Sequence, residues 1–285
     1  MRSCVSVVVR SYNRADYLGQ ALDSVLAQTL APTQVVVVDD GSTDATRGLL
    51  EAYRGRVEVI ELPHSGNPAA VLNAGLRAAD GDYVALLDSD DVWLGDKLER
   101  QLALLGADER IGFAYGNACL LTDGRRSPPV LRADQIVQGQ LLQTVVRDMC
   151  VHPSTLVVRR IWLDRIGPLD ERERVNEDFF LVLSLARFTW AVCVAEPIAL
   201  IRRHPGQVTS AHGLAAYTAA IRALEGLLRD PDLSPAVRLE ARRTIRRFHV
   251  HLTRQLLQPP HRDPARALRH ALAALARSRP FGPRT

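Results

Sequence analysis

Along the first 120 residues, short β-branched apolar runs alternate with longer segments whose apolar positions fall at helical spacing. Residues 5–9 form a continuous valine-rich run, the pattern of a strand buried on both faces. Leu18, Ala21, Leu22, Val25 and Leu26 then mark one face of a helix over 17–27. The same reading predicts strands at 34–38, 57–62 and 83–87, with helices at 43–53 and 67–79 between them. Strands alternating with helices imply parallel crossovers and hence an α/β sheet covered on both faces.

From residue 111 the rhythm loosens. Residues 113–121 read as a strand turning at Thr122-Asp123-Gly124, followed by a helix over 138–148 and a strand over 155–158. A helix over 178–186 and short strands at 190–194 and 198–202 complete a mixed α+β section that should close a cleft. The remainder is helical. It comprises 215–229 and two segments that open on Ser234-Pro235 and Asp263-Pro264, each a capping residue followed by proline at the first helical position.

Open α/β sheets bind ligands outside the carboxyl ends of their strands. Polar clusters stand at three of those ends: Asn13 after the first strand, Asp39-Asp40-Gly41-Ser42 after the second and Asp88-Ser89-Asp90-Asp91 after the fourth. Carboxylates at i and i+2 at a strand end point to one side, and adjacent anions repel unless a cation lies between them. Hard divalent ions such as Mg2+ and Mn2+ take one or two carboxylates and fill their other positions with water and phosphate oxygens. The acidic cluster therefore predicts a metal-diphosphate site, against the simpler reading of a solvated turn capping a helix from Asp96. In the second cluster a carboxylate suits a base or ribose, Gly41 permits a turn, and Ser42 or Thr43 is expected to cap the next helix.

The 285 residues are 47% hydrophobic and 24% charged, which excludes a disordered or fibrous chain. No apolar stretch approaches the ~20 residues of a membrane span, and the N-terminus lacks a signal-peptide layout, so a cytoplasmic location is expected. The four cysteines lie far apart in apolar surroundings and read as buried free thiols. Charge is uneven: residues 215–285 carry 14 basic and 5 acidic side chains, against 22 and 27 before them. Within this basic part Leu268, Leu272 and Leu275 repeat at i, i+4 and i+7 beside Arg266, Arg269 and Arg277. Such a helix can dock on its own catalytic domain, lie on the inner face of the plasma membrane, or pair two copies into a homodimer; docking is the ordinary outcome. Basic side chains without interleaved aromatics disfavour nucleic acid.

Taken in order, VSVVVRSYNR (5–14), VVVVDDGSTDAT (35–46), LNAGLRAADGDYVALLDSDD (72–91), Asn176-Glu177-Asp178 and Arg202-Arg203-His204-Pro205-Gly206 resemble the family 2 glycosyltransferases of GT-A fold over about residues 4–210. The resemblance implies an inverting, metal-dependent transfer of a sugar from a nucleoside diphosphate to a hydroxyl of a glycan, lipid-linked intermediate or small molecule. On that basis 1–120 is the nucleotide-sugar-binding half, 121–210 the acceptor-binding half and 211–285 a helical extension.

The resemblance also implies residue roles. Tyr12, Asn13, Arg14, Asp39, Asp40, Asp88, Ser89 and Arg202 would contact the nucleotide-sugar, and Asp90 and His204 would hold Mn2+ or Mg2+. Asp178 would be the general base, supported by Glu177, while Trp93 and His152 are candidate acceptor or sugar contacts, with Trp162 also on the acceptor side. Two positions depart from the family pattern. Arg10 stands where proline is common, and Leu72 replaces an arginine, which removes one expected phosphate contact. The alternatives are a sugar-phosphate nucleotidyltransferase, which needs a glycine-rich loop where this chain has 10–14 without glycine, and a catalytically inactive nucleotide-sugar-binding module.

Overall fold

A computed structural model of the chain describes residues 4–206, 213–258 and 263–276. They fall into two compact units. The first opens with β1 (Val5–Ser11), α1 (Ala15–Leu26), β2 (Gln34–Asp39), α2 (Thr46–Glu51), β3 (Glu58–Glu61), α3 (Pro68–Ala78) and β4 (Tyr83–Asp88). It continues through β5 (Val92–Trp93), α4 (Lys97–Gly106), β6 (Ile111–Thr122) and β7 (Arg125–Pro129). After the short helix α5 (Leu142–Arg147), which belongs to the second unit, come β8 (Val157–Arg159), α6 (Arg160–Ile166), α7 (Glu177–Phe188) and β9 (Trp190–Arg203).

These strands form one mixed sheet in the order β3-β2-β1-β4-β8-β6-β9-β5, with β7 paired to β6. The parallel half is the one the valine-rich runs predict: β1 lies between β2 and β4, and β2 pairs in parallel with β3. Its register sets Arg10 beside Asp88 and Ser11 beside Asp39, which brings the carboxyl ends of β1, β2 and β4 to one edge. Val5, Val7 and Val9 of β1 are buried in one cluster with Leu18, Leu22 and Val25 of α1. On the other face α3 approaches so closely that a Cβ at Gly75 would stand 2.3 Å from Val8 Cγ1.

Several boundaries differ from the expectation. α2 begins at Thr46, where Asp44 Oδ1 accepts from the Thr46 N–H at 3.0 Å; neither Ser42 nor Thr43 caps it. The two short strands expected at 190–194 and 198–202 are one bulged strand, β9, and the helix expected over 138–148 is reduced to α5. β5, β7 and α6 arise where no periodicity announced them. Cys119, Cys150 and Cys193 are buried free thiols as expected, whereas Cys4 is exposed.

The second unit contains α5 with α8 (Gly213–Leu227), α9 (Pro235–Leu256) and α10 (Pro264–Ala276). Both expected caps form: Ser234 Oγ accepts from the Val237 N–H at 3.3 Å, and Asp263 Oδ1 from the Arg266 N–H at 2.9 Å. α10 packs on α9 with Ala267 and Ala274 buried. Its leucines stay largely in solvent: Leu268, Leu272 and Leu275 are 60%, 57% and 63% exposed. Arg277 lies outside the described residues. Among the described residues no helix is long and apolar enough to cross a membrane.

Candidate functional site

At the end of β1, Asn13 takes a left-handed conformation (φ 50°) that short polar side chains tolerate. Its Oδ1 accepts from the Thr43 N–H at 2.8 Å, so Asn13 clips the loop after β2 in place. In that loop the carboxylate of Asp39 accepts from the N–H of Ser42 at 2.8 Å and from its hydroxyl at 2.5 Å. Gly41 has φ 72°, and a Cβ there would lie 2.6 Å from the His64 nitrogen. The carboxylate of Asp40 turns the other way and accepts from Ser65 N, Ser65 Oγ and Gly66 N at 3.0, 2.9 and 3.0 Å. Those donors tie it to the loop after β3, and Asp40 Oδ2 also lies 3.0 Å from His64 Nδ1 of that loop. The same loop delivers His64, whose ring stacks on Tyr12 with centroids 4.1 Å apart and an interplanar angle of 13°. No sequence motif singled out His64; only the return of its loop toward Asp40 brings it there.

The strand β4 ends at Asp88, so strand alternation does not reach Asp90, and the two carboxylates take different partners. Asp88 bonds to the Arg10 guanidinium, while Asp90 Oδ2 lies 3.0 Å from His204 Nε2 and 3.6 Å from Arg14 Nε. Asp91 is 1% exposed and receives the Ser154 hydroxyl at 2.5 Å and the Arg202 N–H at 2.9 Å. Arg202 Nε also donates to the Asp90 carbonyl at 2.8 Å, and its guanidinium lies 4.9 Å above the Tyr17 ring. Thus the segment carrying Arg202 and His204 is laced to the acidic turn through both backbone and side chains. Ser89 is buried within the turn.

Burial, with Asp88 and Asp90 close by, pushes the Asp91 carboxyl well above the usual range. Burial acts on Asp88 too, but Arg10, His152 and Arg14 together outweigh it and hold that carboxyl below the ordinary value. Such crowding of carboxylates suits a divalent cation. Oxygen and imidazole donors for one stand in two places: the Asp90–His204 pair, and Asp88, Asp91 and His152, whose ligand atoms lie within 4.8 Å of one another. Asp91 is the least available of these, since both its oxygens already have protein donors.

Glu177 and Asp178 open α7 after Asn176, which has φ 62°. Glu177 bonds to Arg10. Burial and the neighbouring Glu177 push the Asp178 carboxyl up to about 6, with Arg10 opposing them. Asp178 borders a cavity of about 410 Å³, together with His152, Leu131, Ile201, Arg132 and Arg203. Trp93 is absent from this wall. At 3% exposure it packs in the core, its Nε1 donating to the Ser154 carbonyl at 2.7 Å and Lys97 Nζ 3.9 Å from its ring. It is therefore not a sugar contact. Trp162 of α6 carries Arg165 5.0 Å from its ring and is likewise not part of the cavity wall. Leu72 is buried in the core.

Residues 6–167 match the profile described as Glycosyl transferase family 2. An uncharacterized glycosyltransferase of Nostoc is 32% identical over 212 residues, covering 70% of this chain and 65% of that protein. The chain thus spans just under two thirds of that relative. The succinoglycan biosynthesis protein ExoO of Rhizobium meliloti is 32% identical over 284 residues, 94% of this chain and 81% of its own length. A further relative is the Escherichia coli UDP-Glc:alpha-D-GlcNAc-diphosphoundecaprenol beta-1,3-glucosyltransferase WfgD, 30% identical over 64% of this chain and 70% of its own. Among solved structures, Staphylococcus aureus TarS 1-349 with UDP-GlcNAc superposes with a TM-score of 0.75 at 20% identity, over 96% of this chain and 81% of that one. The mannosyltransferase PcManGT of Pyrobaculum calidifontis, in complex with GDP-Man and Mn2+, gives 0.64 at 20% identity over 97% and 76%. At these identities the two structures speak for the fold, which is of the GT-A type.

Proposed function

The chain belongs to glycosyl transferase family 2, and from that premise we propose that it moves a sugar from a nucleoside-diphosphate donor to a hydroxyl acceptor with inversion, in bacterial polysaccharide or glycoconjugate assembly. One observation carries the reading: His152 stands both with Asp88 and Asp91 at the acidic turn and with Asp178 on the cavity wall. A donor held at the turn and an acceptor in the cavity then meet beside a carboxylate able to take a proton.

In this reading Tyr12 and Asp39 hold the nucleoside, with His64 backing the Tyr12 ring. Arg14, Asp88, Ser89 and Arg202 face the diphosphate and sugar, and Asp90 with His204 holds Mn2+ or Mg2+. When bound, the ion neutralises charge that develops on the departing nucleoside diphosphate. Arg202 adds a fixed positive charge anchored on the Asp90 carbonyl, a preorganised contribution to the same stabilisation. Asp178 takes the acceptor's proton as its oxygen attacks the anomeric carbon. A carboxyl with a pKa of about 6 is mostly ionised near neutrality yet more basic than an ordinary aspartate, which suits that step.

The cavity favours an acceptor with apolar and anionic parts, because Leu131 and Ile201 line it together with Arg132 and Arg203. A lipid-linked sugar diphosphate, the acceptor in the name of the E. coli relative, has that chemistry. The exposed leucines of α10 beside Arg269 suit an anionic bilayer, which would make the enzyme peripheral to the membrane.

The test is a screen of nucleotide sugars with Mn2+ for thermal stabilisation, followed by product analysis on lipid-linked acceptors. A ligand at 100 times its Kd stabilises by about 2.7 kcal/mol. Donor binding without transfer or donor hydrolysis would favour a binding module instead.

A further inference from the structure

Arg10 lies one residue before the end of β1, in register with Asp88 on β4. Its guanidinium bonds to Asp88 through one terminal nitrogen and to Glu177, the first residue of α7, through the other. The side chain is 14% exposed, and between its two carboxylates it stays protonated at any physiological pH. This cation joins the parallel half of the sheet, which carries the acidic turn, to the helix that carries Asp178. Both ends of its fork are matched by carboxylates, so its charge is already balanced within the protein.

Consecutive carboxylates at a helix start repel each other, and two equally available ones would offer the acceptor hydroxyl rival proton acceptors. The Arg10 bond removes one of them. We propose that Arg10 is a positioning residue: by holding Glu177 against Asp88 it leaves Asp178 as the one carboxylate of the pair presented to the acceptor cavity. The proposal rests on the transferase reading above and adds a role for a side chain that makes no contact with the reacting atoms.

The experiment is a cycle of Arg10→Gln and Glu177→Gln, singly and together, on the full chain. Arg10→Gln should lower kcat by about 10- to 100-fold with the donor KM within about threefold of wild type. In the Glu177→Gln background it should cost less than about threefold more, because the partner it restrains is gone. Arg10→Lys, which keeps the charge but not the fork, should recover part of kcat. A donor KM raised about tenfold with kcat retained would make Arg10 a donor ligand and overturn the proposal. So would equal losses in both backgrounds, the mark of a purely structural role.

A second readout does not depend on turnover. The charged groups around Asp178 are Glu177, Arg10, Asp88 and His152, with Arg132 and Arg203 on the same cavity wall. Carbon-13 titration of the Asp178 carboxyl should show its midpoint rising in Arg10→Gln, and rising less on the same change when Glu177 is already glutamine. An unchanged midpoint in Arg10→Gln overturns the proposal even if the wild type transfers no sugar, a result that would separately remove the function proposed above.

Discussion

His204 Nε2 and Asp90 Oδ2 meet at 3.0 Å although 114 residues separate them in the chain. The contact follows from β9 running out beside the acidic turn, where Arg202 N–H and Nε bind Asp91 and the Asp90 carbonyl. Asp90→Ala should abolish Mn2+ binding measured by calorimetry in the presence of UDP and lower kcat/KM by at least about 100-fold. His204→Ala should weaken Mn2+ by about tenfold, as loss of one ligand of a shared set does. If Asp88→Ala and His152→Ala abolish binding while both Asp90 and His204 variants retain it, the ion belongs to the other cluster.

Asp178 couples activity to stability through pH. Burial and Glu177 raise its carboxyl from 3.8 to about 6, so between those values the folded protein binds the proton more tightly than the unfolded chain does. Its contribution to stability is complete below pH ~4 and is lost as pH rises through about 6. Activity runs the opposite way, since the base must be ionised: log kcat should climb with unit slope below about 6 and level off above it. Asp178→Asn should eliminate transfer while leaving UDP affinity within about threefold. It should also stabilise the protein at pH 8, by up to ~3 kcal/mol, and much less at pH 4. Thermal melts at the two pH values check the sign.

Asp39 and Asp40 are neighbours with separate hydrogen-bond partners. Asp40 receives three hydrogen bonds from Ser65 and Gly66, so Asp40→Asn turns an amide toward donors and should cost about 1–3 kcal/mol in chemical denaturation. The Asp39 carboxylate is held by the N–H and hydroxyl of Ser42. Asp39→Asn should weaken UDP by about tenfold, a loss of ~1.4 kcal/mol, with the larger effect on binding rather than on stability.

The same pair shows where sequence reading stops. The parallel half of the sheet was legible because runs such as Val35–Val38 are buried on both faces and read as unbroken apolar stretches. β9 read as two strands because Glu196-Pro197 interrupts it; the proline sits opposite Asn117, where the ladder shifts register. β5 has two residues, too few for any periodicity. Asp39, Asp88, Asp90, Asp178 and His204 were recognisable as a set from their order along the chain. That Ser65 and Gly66 hold Asp40 was not, because their loop comes back 25 residues later. Trp93 followed the acidic turn in sequence as a sugar-stacking residue should, yet it lies in the core with Lys97, the first residue of α4, packed against its ring.

The last prediction concerns α10. A helix that buries Ala267 and Ala274 against α9 while leaving Leu268, Leu272 and Leu275 more than half exposed has spent its small residues on packing and kept its large ones for another medium. Arg269 on the same exposed surface and the excess of 14 basic over 5 acidic side chains in residues 215–285 select an anionic one. Full burial of a leucine in an apolar phase is worth ~1.5–3 kcal/mol, so three partly inserted side chains suffice for reversible binding. The protein should therefore float with vesicles containing anionic lipid and remain in the soluble fraction with neutral vesicles or at high salt. Changing all three leucines to serine should abolish flotation while leaving the melting temperature within a few degrees, because all three are more than half exposed. Flotation that is equal for wild type and the triple variant would assign the basic charge to some other task.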